Sequence, residues 1–136
     1  MRRGLARQEG QILVLAALVM TFLFVPLAMF VIDTSLVESG YAQLGETLQA
    51  SAEDGASTID EAAYRSSNGQ VVVLDPVQAK DVADRSMRTS GVPGLSWSVE
   101  VQGPRVTITG HLNVQLLALG TATLSESRSA SFAYGK

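Results

Sequence analysis

The chain has 136 residues, no cysteine, one histidine and a formal net charge of −3. Disulfides and cysteine-held metals are therefore excluded, and a single histidine rules out a His-based metal cluster. The acidic balance argues against a nucleic-acid partner, because binding phosphates requires a basic face.

The charges are unevenly placed. Arg2, Arg3 and Arg7 crowd the first ten residues, opposed there by Glu9 alone. From Asp33 to Glu61 there are seven acids and no Lys or Arg, and the remainder is mixed. The acidic run reads as a solvated helix face.

Between the two regions, Ile12 to Ile32 forms 21 uncharged residues, interrupted only by Thr21 and Pro26. As a helix this run is roughly 30 Å long, about the hydrocarbon thickness of a bilayer. A helix apolar on every face for six turns is a membrane span rather than the core of a small soluble domain. Pro26 removes a backbone donor and predicts a local bend, which membrane helices tolerate. A cleaved secretory signal has a shorter apolar region ending at a small-x-small site, and neither feature is present here. The flanking arginines place the N-terminus in the cytoplasm and residues 33–136 outside the cell membrane. Asp33 is then expected at the outer interface, with its carboxylate reaching water.

Helical periodicity continues past the span. Val37, Tyr41, Leu44, Leu48, Ala52, Ala56, Ile59 and Ala63 recur at spacings of three or four, one stripe on an α-helix. This predicts a stalk helix over 33–65, weakened at Gly40 or Gly45. Its packing stripe suits either the chain's own following domain or a neighbouring subunit.

Ser66–Gly69 is a turn cluster, and Val71–Leu74 reads as a short buried strand. Asp75-Pro76 starts a second helix with an N-cap and a proline at its first position, carrying Val77, Val82 and Met87 on its apolar side. Trp97, Val99 and Val101 alternate with polar residues as a half-buried strand does. After the Gly103-Pro104 turn, Val106, Ile108, Leu112 and Val114 continue the pattern. Leu116–Gly120 is an apolar loop or short helix. A last strand holds Ala122, Leu124, Ala130, Phe132 and Tyr134, interrupted over Ser125–Ser129.

The fold class is α+β: a long N-terminal transmembrane and stalk helix, then a small antiparallel β-sheet domain with one short helix. The organisation is a basic cytoplasmic tail (1–10), a transmembrane helix (11–32), an extracytoplasmic stalk (33–65) and a small domain (66–136).

No catalytic constellation assembles. His111 sits within a predicted strand and reads as structural or surface-facing. The alternating serines after Leu124 read as an exposed strand face, and Glu53-Asp54 and Asp60-Glu61 point to different sides of a helix. No nucleophile elbow, phosphate loop or zinc-protease motif occurs. No enzyme activity, cofactor, metal or small-molecule substrate is expected.

The N-terminal half carries a resemblance. Gly10-Gln11-Ile12-Leu13-Val14-Leu15 follows the basic tail and leads through a proline-containing span to Val31-Ile32-Asp33. Leu48-Gln49-Ala50-Ser51-Ala52-Glu53-Asp54-Gly55-Ala56 follows on the stalk. In order and spacing this resembles the TadE/TadG-like proteins of the tight-adherence (Flp) pilus system, over about residues 2–63. The resemblance implies a pilin-like architecture and a minor pilin, pseudopilin-like protein or assembly component, with the bilayer and other pilus subunits as partners. It also implies a prepilin-peptidase cut after Gly10, leaving Gln11 as the new N-terminus. Leu15 stands where many pilin-type substrates carry Glu, so a processed subunit and a permanently anchored assembly protein both stay open. The alternative is a membrane-tethered ligand-binding or sensor module built on the β domain.

Overall fold

A computed structural model describes residues 3–132, with side chains from Gly10 onward. The basic side chains expected of the tail, and Tyr134, lie outside the described residues. Three helices and three strands follow in order: α1 (Arg3–Ala56), α2 (Glu61–Ser66), α3 (Pro76–Thr89), β1 (Leu95–Gln102), β2 (Arg105–Gln115) and β3 (Thr121–Ser131). The strands form one antiparallel sheet in the order β1-β2-β3. The α+β class and the long N-terminal helix stand as expected.

α1 runs unbroken for 54 residues, through Gly10 and Pro26, roughly 80 Å at the α-helical rise. Its two halves have opposite environments. Large apolar side chains from Ile12 to Ile32 are 41–76% exposed, and no other described residue covers them. Thr21 and Thr34 donate their hydroxyls to carbonyls four residues back, at 2.9 Å each, which removes their need for water. By length and composition this half can cross a membrane or serve as a signal anchor.

The second half of α1 lies across β2 and β3, with α3 beside it and against β1. Leu44 and Leu48 of α1, Ala79, Ala83 and Met87 of α3, and Val106, Ile108, Leu112 and Leu124 of the sheet form the buried core. Burying a leucine fully contributes about 1.5–3 kcal/mol, so Leu44 and Leu48, both at 0% exposure, anchor the packing.

Glycines set the closeness of approach. A Cβ at Gly40 would lie 2.7 Å from Leu124 Cδ1, and one at Gly55 2.9 Å from the Ala79 carbonyl oxygen. On β2, a Cβ at Gly110 would lie 2.8 Å from Leu48 Cδ2. Gly40 and Gly45 were expected to weaken the helix, yet the helix continues through both. They are contact points instead. Gly40 admits the sheet's apolar side chains, and Gly45 faces the Glu126–Arg128 ion pair.

Four expectations change. The stalk helix ends at Ala56 rather than near residue 65. Ser57 and Thr58 donate their hydroxyls to the carbonyls of Asp54 and Gly55, competing with helical bonding. Asp60 then caps a separate α2 by accepting from the amides of Ala62 and Ala63. Ile59 and Ala63 kept helical spacing only by coincidence across this break.

Val71–Leu74 joins no strand ladder. The Asp60 amide donates to the Val73 carbonyl at 2.9 Å, and Leu74 turns inward at 7% exposure while Val71 and Val73 stay exposed. α3 begins as expected, with Asp75 accepting from the Val77 and Gln78 amides. Its buried face is Ala79, Ala83 and Met87; Val77 is 76% exposed.

β3 is continuous through Ser125–Ser129. Its serines pair across the outer face, with Thr109 donating to Ser127 at 3.1 Å. Glu126 and Arg128, inward by register, neutralise each other.

Candidate functional site

The site that the architecture builds is the junction where α1 leaves its apolar half and meets the β2–β3 hairpin. Contacts along α1 fix the direction of that hairpin. Val106 lies near Gly55, Gly110 against Leu44 and Leu48, and Leu112 and Val114 near Gly40. β2 therefore runs antiparallel to α1, and the Leu116–Gly120 loop arrives at the end of the apolar span.

Asp33 receives it. Its carboxylate accepts from the Leu117 amide at 2.6 Å and the Ala118 amide at 2.9 Å. Asp33 is only 3% exposed. The expected water-reaching carboxylate is thus a buried latch, because two backbone donors replace its solvent. The Leu116 amide donates to the Gly120 carbonyl, closing the loop on itself. Leu116 is buried at 7%, whereas Leu117 and Leu119 are 62% and 72% exposed. Sequence reasoning puts Asp33 at the interface and reads Leu116–Gly120 as an apolar loop or short helix, but a contact between positions so far apart in the chain leaves no periodic signal.

The predicted packing stripe divides. Leu44, Leu48, Ala52 and Ala56 are buried at 0–6% within the chain's own core, and Val37 packs at its edge. Tyr41 and Ile59 are exposed, at 44% and 40%, and Ala63 is half-buried on α2. Gly10 and Gln11 lie on exposed helix, and a Cβ at Gly10 would meet nothing within 4 Å.

Several polar side chains elsewhere are engaged structurally. The Ser51 hydroxyl donates to Ser86 at 3.1 Å, and Ser86 donates to Asp54 at 2.6 Å, tying α1 to α3. The Trp97 indole donates to Asp84 at 2.8 Å, and Arg88 pairs with the same carboxylate. That indole bond foremost, with Arg88 and Lys80, holds the Asp84 carboxyl below its ordinary value against a smaller opposing effect of burial. His111 is exposed on the outer face of β2.

Among the described residues no three His, Cys, Asp or Glu side chains gather where a metal ion could sit. One open surface groove, of about 620 Å3, is lined by Ser57, Thr58, Ile59, Tyr64 and Val72. Glu61 and Arg65 at its rim are paired with each other at 2.7 Å.

Comparison with known proteins returns no match: no family model, curated protein or solved structure is significantly similar to this chain.

Proposed function

We propose that the protein is a membrane-anchored, non-enzymatic component of a bacterial tight-adherence pilus or of its assembly machinery, in the manner of a minor pilin or pseudopilin. The observation that carries this reading is the division of labour along α1. One uninterrupted helix offers an apolar half with no partner among the described residues, then packs its other half on a small sheet. Such a helix serves as a lipid anchor before assembly and as a packing surface for neighbouring helices afterwards. The basic tail sets the N-terminus in the cytoplasm and the domain outside. Because Leu44, Leu48, Ala52 and Ala56 are occupied within the domain, subunit contacts fall on the apolar half of α1 and on exposed Tyr41.

The test uses the absence of cysteine. Single cysteines at Phe24 and Tyr41, crosslinked in pilus-bearing cells, should capture other pilus components, and deletion of the chain should reduce surface pili. Adducts confined to unrelated proteins, together with normal piliation after deletion, would overturn the reading. N-terminal sequencing of the membrane-extracted protein then separates its two forms. A start at Gln11 marks a processed subunit, and an intact Met1 marks a fixed anchor.

A further inference from the structure

We infer that the Leu116–Gly120 loop is a second membrane contact, seating the domain on the bilayer surface by inserting Leu117 and Leu119 among the lipids beside the helix. The inference rests on the membrane anchorage proposed above and is independent of the pilus assignment.

Position is the first argument. The amides of Leu117 and Ala118 are bonded to Asp33, the residue directly after Ile32. The loop is therefore fixed at the level where the apolar surface of α1 ends. Two exposed leucines on an ordinary surface loop would need no explanation. Here they extend a continuous apolar surface that already faces lipid in the anchored protein.

Backbone chemistry is the second argument. An irregular segment at low water content must satisfy its polar groups from within the protein. Three of the loop's five amides, those of Leu116, Leu117 and Ala118, are paired in this way, one to the Gly120 carbonyl and two to the Asp33 carboxylate. The same bonds shield the carboxylate itself, which is 3% exposed and so does not oppose the approach of acyl chains.

Charge distribution is the third. No Asp, Glu, Lys or Arg occurs from Leu112 to Ser125. The α3–β1 connection, which meets the hairpin where the Asn113 amide donates to the Gly94 carbonyl, is uncharged from Thr89 to Ser98. Both segments are uncharged toward the span, where the exposed Glu38 of α1, five residues past Asp33, is the first charged side chain above the latch. At the opposite end, Glu100 and Arg105 flank the β1–β2 turn near Val106, which packs by Gly55.

The experiment takes the full-length chain into phosphatidylcholine–phosphatidylglycerol vesicles, with a fluorescent probe on single cysteines at Leu117, Leu119, Phe24 or Ser98. Each is read against a shallow lipid-borne quencher and against aqueous iodide. Probes at 117 and 119 should be quenched by the lipid-borne agent severalfold more than the probe at 98, and by iodide severalfold less. If they behave like the probe at 98 while the probe at 24 is lipid-quenched, the anchor stands and the second contact is overturned. If the probe at 24 also escapes the lipid quencher, the anchorage fails and the inference falls with it. A probe on Ala118→Cys in the Leu117→Asp/Leu119→Asp background tests whether the leucines hold the loop in place. Lipid quenching should be lost and iodide quenching gained; retained lipid quenching would mean that the tether alone keeps the loop there and would overturn insertion.

Discussion

The carboxylate of Asp33 accepts a 2.6 Å hydrogen bond from the backbone amide of Leu117, 84 positions later in the chain. One acidic side chain thereby couples the end of the apolar helix to the tip of the β2–β3 hairpin. Replacing it with alanine leaves the Leu117 and Ala118 amides unsatisfied in a site from which water is largely excluded. Asp33→Ala should lower the stability of the domain by about 2–4 kcal/mol, with Asp33→Asn intermediate because one acceptor oxygen survives. Denaturant unfolding of the full chain in detergent or nanodiscs measures this, and an unchanged midpoint for Asp33→Ala would deny the latch its role.

Gly55 and Gly40 should respond differently to alanine. Either substitution favours the helix by up to ~1 kcal/mol. At Gly55 the new methyl meets a backbone carbonyl, that of Ala79, at 2.9 Å, and α3 must shift. At Gly40 the nearest atom is the end of the Leu124 side chain, which can turn away. Overpacking costs about 1–3 kcal/mol where the neighbour is rigid, so Gly55→Ala should be clearly destabilising and Gly40→Ala less so. Thermal unfolding of the two variants in parallel checks the order; a reversed order would contradict the packing of α3 on α1.

Local signals in the sequence were legible to the extent that they depended on near neighbours. The uncharged run Ile12–Ile32, the Asp75-Pro76 start of α3 and the alternation of Trp97, Val99 and Val101 each reflect chemistry within a few residues, and each matches an element. The misreadings came from competition that a periodic pattern does not register. Ser57 and Thr58 end α1 through their hydroxyls, although Ile59 and Ala63 keep the helical spacing. Val71–Leu74 has strand composition but pairs with none of the three strands; its Val73 carbonyl instead accepts from the Asp60 amide ahead of α2. The polar stretch Ser125–Ser129 reads as an interruption of β3, whereas its serines line the outer face and Glu126 and Arg128 form a neutral inward pair over Gly45. The Asp33 latch needed a tertiary contact, which no window along the chain contains.

Leu48 and Tyr41 separate folding from recognition. Leu48 is fully buried against Gly110, so Leu48→Ala should destabilise the domain by about 2–5 kcal/mol through lost burial and a cavity. Tyr41 is 44% exposed, and Tyr41→Ala should change stability by about 0.5 kcal/mol or less, as exposed positions do. A Tyr41→Ala protein of normal melting temperature that loses subunit crosslinks would locate a partner surface. A Leu48→Ala protein of normal melting temperature would contradict the core assignment.

Asp84 gives the fold a dependence on acid that Trp97 reports. The indole N–H of Trp97, then Arg88 and Lys80, favour the ionised carboxylate, so its folded value lies below the unfolded one. A group depressed in this way stabilises the fold fully above its unfolded value of about 4, and that contribution is lost as pH falls through the lower folded value. Between neutrality and about pH 5 the contribution stays constant, since both states are ionised there. Trp97 is the only tryptophan, so its emission follows the same bond. Acidification below about pH 4 should shift that emission and lower the melting temperature together. In Asp84→Asn the emission change should vanish and the acid loss of stability should become shallower. An acid-induced emission change that persists unaltered in Asp84→Asn would remove Asp84 as its source.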